Sequence, residues 1–151
     1  MTPTILGLEE PVTFTLPSGE QFTCLAKIDT GARTSAIDIT IAHRLGLGRV
    51  YQQFQQLAPK LTVTKDTLTS LTQQLQRTIV PDLKQRITAL ADVQIVRSAS
   101  GITLRPYVHI TYQLGGHTIQ TLANISDRSL LAYPMLIGKS DLGNFLIDPN
   151  Q

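Results

Sequence analysis

A chain of 151 residues with 42% hydrophobic content and a mean hydropathy of +0.04 has the length and composition of one folded domain with its own core, residues 1–151. A net charge of +2 from scattered basic residues, few aromatics and no Trp exclude a base-stacking or polyanion-binding platform, so no nucleic-acid partner is expected. The opening MTPTILGLEE lacks a basic then apolar leader and no window approaches a membrane span, so a cytoplasmic protein with no membrane partner is expected; the lone Cys24 excludes an internal disulfide and reads as a small apolar strand residue.

Val12, Phe14 and Leu16 alternate with Thr13 and Thr15 before Pro17-Ser18-Gly19, and a second apolar run leads from Phe22 to Ile28. This predicts a β-hairpin whose second strand delivers Asp29 to a turn. Ile37, Ile41 and Leu45 then share a helical face that Gly46 and Gly48 close, predicting a short helix.

Residues 49–91 differ from both flanks, being rich in Gln, Thr and Leu and lacking Gly, and they read as a helical insertion into a β framework. Val50, Phe54 and Leu57 form one apolar stripe, and Leu68, Leu71, Leu75, Ile79, Leu83, Ile87 and Leu90 form another that keeps its phase past Pro81. Two helices, or one kinked at Pro81, are expected, and the stripe would cover the sheet or contact a partner subunit.

From Val93 the period returns to two: VQIVR, a turn at 98–101, ITLRPYVHITYQL, a Gly115-Gly116 turn, then HTIQTLANI. Two successive hairpins are predicted. The last stretch holds an apolar run ending at Gly138, room for one or two helical turns and a short strand, FLID. The fold class is mainly β, and no internal repeat supplies a second copy of any site.

Asp29-Thr30-Gly31 at the end of an apolar strand suits an ionisable oxygen held in a partly dry cleft. Gly31 lets backbone approach the carboxylate, and Thr30 can hydrogen-bond within the turn or across an interface. One carboxylate is a poor peptidase, whereas two a few ångströms apart share a proton and supply both a base for water and an acid for the leaving amine. With a single Asp-Thr-Gly, the second acid must come from another copy, so a homodimer is required.

IDTGA with LIG downstream resembles the retropepsin-like aspartic peptidases, whose single-domain members work as homodimers. AKIDTGARTSA (26–36), SASG…LRP (98–106) and SDRSLLAYPMLIGKSDL (126–142) resemble more closely the bacterial family that carries the name ATP-dependent zinc protease, often associated with ATP-grasp ligases that add glutamates to a ribosomal protein. The likeness covers roughly 5–48 and 92–149 and leaves out the helical middle. It implies a retropepsin-like β-barrel protomer, homodimeric, acting as an aspartic endopeptidase on a peptide or protein substrate. Asp29, Thr30 and Gly31 would be the catalytic loop, with Thr30 locking the interface, Gly31 and Ala32 meeting substrate backbone, and Gly138 closing the supporting loop.

Retroviral members carry an acid where this chain has Arg33, and Arg33, Arg105 and Arg128 together fit an acidic, glutamate-rich substrate, or are solvated and paired locally. VQIVRSASGITLRP would be the flap, with Ser98, Ser100 and Gly101 at its tip, or an ordinary surface hairpin. Asp127 either pairs with Arg128, the favoured alternative, or faces the cleft.

The zinc and ATP of the family name find no support here. His43, His109 and His117 are isolated, with His109 and His117 flanking the Gly115-Gly116 turn, and no phosphate-cradling glycine loop occurs, so neither metal nor other cofactor is expected. The alternative function is a catalytically silent binding or adaptor module on the same scaffold.

Overall fold

The computed structural model describes residues 2–61, 63–98 and 101–151. Its frame is a mainly β barrel. After a short β1 (Thr4–Leu6), β2 (Glu9–Thr15) and β3 (Gln21–Ile28) form the predicted hairpin, with Val12 opposite Cys24 and Phe14 opposite Phe22. Alternation decides which side faces in: Val12, Phe14, Ala26 and Ile28 are buried while Thr15, Thr23 and Lys27 are exposed.

Ser35–Asp38 is a strand, β4, and the helix, α1, begins only at Ile39 and ends at Arg44. Ile37, read from the sequence as the first position of a helical face, instead lies between β8 (Met135–Ile137) and β7 (His117–Ser126). A four-residue strand buried on both faces has no alternation to betray it. Asp38 ends the strand and caps α1 through a hydrogen bond from Thr40 N at 3.0 Å.

The second predicted hairpin pair is present, with β5 (Asp92–Ser98) on β6 (Gly101–Leu114) and β6 on β7 across the Gly115-Gly116 turn. The sheet order is β2-β3-β8-β4-β7-β6, and the pairing of Thr13 with Gln113 joins β2 to β6, closing six strands into a barrel with β5 outside. β1 lies apart, parallel to β9 (Phe145–Ile147), the expected final strand.

The insertion carries α2 (Gly48–Leu57), α3 (Leu68–Gln74), a π-helical turn (Leu75–Ile79) and α4 (Val80–Arg86). From Leu68 to Arg86 the chain is one helical run, and the predicted break at Pro81 is replaced by that wider turn just before it. Val80 N–H bonds to Leu75 O, five residues back, which loosens the ladder where the proline lacks its own N–H and crowds the preceding turn.

Leu71, Leu75, Val80, Leu83, Ile87 and Leu90 are all buried, most of them in one cluster with Val93 of β5 and the barrel residues Val108 and Ile110, although Ile87 and Leu90 follow the helix rather than belonging to it. The stripe therefore covers this chain's own core instead of offering a partner surface. Truncating Leu75 or Leu83 to Ala should lower stability by about 2–5 kcal/mol in urea unfolding.

Candidate active site

Apolar β3 brings the chain to Asp29 by burying Ala26 and Ile28, and Asp29 itself is half-buried at the strand end. Its N–H donates to Ile137 O at 2.9 Å, continuing the parallel β3–β8 ladder by one residue. Its Oδ1 accepts from Gly31 N at 2.9 Å, and Ala32 N returns to Asp29 O at 3.2 Å, so the turn wraps the carboxylate. A Cβ on Gly31 would stand 3.1 Å from Oδ1, tight enough to press on the carboxylate.

The following loop is held by the segment after β8. Lys139 N donates to Ala32 O at 2.8 Å and Ser140 N to Arg33 O at 3.0 Å. Gly138 presses so close that a Cβ would meet the carbonyl oxygen of Thr34 at 2.5 Å and its nitrogen at 2.8 Å. Gly138 N donates to Ser35 Oγ at 3.1 Å, and that hydroxyl donates to Asp141 Oδ2 at 2.6 Å, which also takes the Tyr112 hydroxyl at 2.8 Å.

Asp141 is buried, and these donors satisfy its carboxyl group. Burial first, and then the Asp141 carboxylate, push the Tyr112 phenol far above its ordinary range, making Tyr112 a permanent donor. Asn124 Nδ2 reaches Ser35 O at 3.1 Å, and Thr34 Oγ1 lies 2.8 Å from the Tyr107 hydroxyl, tying the loop to β6 and β7 as well.

Asp29, Gly31, Ala32 and Arg33 share one cleft of about 1380 Å³ with Arg105 and Arg128. Arg33 Nη2 is tied to Gln94 Oε1 of β5 at 2.9 Å, and Arg105 Nη1 to Asn124 Oδ1 at 3.3 Å. Arg128 is buried, with Nε on Tyr133 O at 3.0 Å; burial and then the charge of Arg105 lower its pKa, while Asp38 and Asp29 pull the other way. Among the described residues neither Arg105 nor Arg128 has a carboxylate at ion-pairing distance; the ion pair described is Arg86 with Asp82 at 3.4 Å.

The favoured pairing of Asp127 with Arg128 is not formed. Asp127 is exposed and accepts from Ser129 N at 2.9 Å, and hydrogen bonds from Ser129 lower its pKa. It also lines the cleft, so its position fits the second alternative. Thr30 is exposed on the outer side of its turn. Gly101 opens β6 opposite Ser98 at the hairpin end, and Ser100 lies outside the described residues.

Among the described residues no three of His, Cys, Asp or Glu come together. His43 sits on α1; His117 approaches Thr4 Oγ1 at 3.0 Å, and His109 is paired with Leu122, not with His117. Cys24 is half-buried, and desolvation pushes its thiol up to about 11, which suits a structural residue. Among the described residues no helix is long and apolar enough to cross a membrane.

Ser35, Tyr112, Asp141 and Asn124 have no motif of their own, and what signal there is lies in Asp141 following the apolar run and Gly138. The cleft-lining side of this helical run, with Leu68 and Thr72 on α3 and Gln76 in the π-helical turn, is also hidden beside the stronger apolar stripe.

Two outcomes follow from this geometry. Gly138→Ala should lower stability by roughly 1–3 kcal/mol or more in urea unfolding, because the new methyl meets backbone that cannot yield. Asp38 sets an acid limit: burial works to raise its pKa, but hydrogen bonds from Thr40 and from the N–H groups of Arg128, at 2.6 Å, and Ile39 outweigh it and hold the carboxyl below its ordinary 3.8. A carboxyl lowered on folding contributes stability above its unfolded value and loses it as pH falls through the folded one. Unfolding free energy should thus decline as pH drops below about 3.8, and Asp38→Asn should flatten that limb.

No family model matches the chain, and no curated protein matches it in sequence. Among solved structures, it is similar over 99% of its length to 96% of Lpg0085, a protein of unknown function (DUF785) from Legionella pneumophila, at 16% identity and a TM-score of 0.50. It also matches the retroviral protease-like domain of Ddi1 from Leishmania major, at 17% identity and a TM-score of 0.44, over 91% of this chain and 73% of that one.

Proposed function

We propose that the chain is a retropepsin-like aspartic endopeptidase that hydrolyses peptide bonds as a homodimer. The observation that carries this reading is Asp29 itself: a half-buried carboxylate at a strand end, gripped through Oδ1 by Gly31 N, in a cleft roomy enough for an extended peptide. Its Oδ2 has no hydrogen-bond partner among the described residues, which suits an oxygen that holds water. The closed barrel and the glycine-backed support of the Asp29 loop agree with the fold that the sequence resembles.

The chemistry needs a second carboxylate, and the second Asp29 comes from the partner copy. Two such groups side by side cannot both ionise, so one accepts a proton from water as the other donates to the carbonyl oxygen, and the leaving amine takes its proton in turn. Thr30 is exposed beside Asp29, which is compatible with a hydroxyl that meets its counterpart in such a dimer.

The substrate is an acidic peptide. Arg105 and Arg128 line the cleft with no carboxylate at ion-pairing distance among the described residues, and guanidinium groups partly withdrawn from water favour an incoming carboxylate. Arg33, already tied to Gln94, is the weaker contributor.

Asp29→Asn should lower cleavage of a glutamate-rich peptide by at least about a hundredfold, with unfolding midpoint and sedimentation unchanged. Undiminished cleavage by the variant would overturn the mechanism. Peptide binding with no cleavage by the parent chain would favour the adaptor module.

A further inference from the structure

The helical run from Leu68 is fixed by one face and open on another. Leu71 and Leu75 are 7% and 1% exposed, packed inward, so the segment cannot swing without opening the core. On the open side, Leu68, Thr72 and Gln76 recur every four residues, the spacing that stacks side chains along one helix face. Leu68 is half-buried and Thr72 and Gln76 are exposed, and all three line the cleft that holds Asp29.

The cleft's arginines lie on other elements. Asp92, Arg97 and Arg105 come from the β5–β6 hairpin, and Arg33 from the Asp29 loop, whereas the helical stripe brings no charge at all. A charged substrate side chain pressed against that stripe would lose water and gain no partner, while an uncharged one would lose little. Packing against a fixed surface also spares the ordering cost that a mobile segment would add.

We propose that Leu68, Thr72 and Gln76 form a specificity wall that takes an uncharged side chain of the bound peptide, while the arginine-bearing surfaces of the same cleft take its acidic ones. This rests on the peptidase reading, and it gives the helical insertion a role in choosing substrate. The wall sets which residue of the chain can lie beside α3, while Asp29 carries the chemistry.

The test uses Gln76→Glu and Gln76→Lys, at an exposed position where either side chain fits. Both are placed in the full chain with Asp29→Asn, so that binding is read without turnover. The probes are fluorescein-labelled acidic peptides in which one residue, moved through each position in turn, is Leu, Gln, Glu or Lys, and fluorescence polarisation reports affinity.

At one position the Gln76 chain should prefer Leu and Gln to Glu and Lys. Gln76→Glu should shift the Lys-to-Glu preference there by roughly two- to fivefold, the size of an exposed charge pair, and Gln76→Lys should shift it the opposite way. Preferences untouched by both substitutions, or no peptide bound at all, would overturn the wall. If binding shifts as stated but the chain with Asp29 intact cleaves none of these peptides, the peptidase reading fails and the wall stands as part of a binding surface.

Discussion

Everything at the site depends on the contact between Gly138 and the backbone of Thr34. At that distance no side chain can intervene, so the loop carrying Asp29 and the segment following β8 are forced into a single layer. Asp29 N on Ile137 O, Lys139 N on Ala32 O and Ser140 N on Arg33 O are the bonds that this closeness permits. Each is worth about 1 kcal/mol net, but together they fix the carboxylate far better than an exposed turn could.

Beneath that layer lies a second, wholly polar arrangement that the barrel encloses. The side chains of Ser35, Tyr112 and Asp141 hydrogen-bond to one another, with Gly138 N donating to Ser35 and the Ser140 hydroxyl to Asp141. Such a network costs more than an apolar core if it is left incomplete, and no buried side-chain polar atom among the described residues lacks a partner. Its completeness turns three unremarkable residues into a floor for Asp29.

The sequence shows the site more plainly than the fold around it. Alternation in β2, β3, β6 and β7, the glycine turns and the apolar run before Gly138 are local signals, and the strands followed them. β4 was not legible, because four buried residues have no polar phase, and neither was the π-helical turn, because Pro81 signals a break without saying how the ladder will absorb it. Asp29, Gly31 and Gly138 announce themselves by residue type, whereas Ser35, Tyr112 and Asp141 acquire their roles only when residues over a hundred positions apart are brought together. Asp127 shows the same limit: its neighbour Arg128 was the obvious partner in sequence, but the chain turns and Ser129 takes the carboxylate.

The helical insertion joins these levels. Its inward stripe is readable as an amphipathic pattern, and that stripe is buried in this chain's own core. The most direct test of the account is the separation of the two Asp29 carboxylates in a crystal structure of the chain with an uncleavable acidic peptide. The account predicts a two-fold dimer with those carboxyl groups about 3 Å apart, close enough to share a proton across the peptide. A peptide bound to a monomer, or carboxylates too far apart for one proton to serve both, would contradict it.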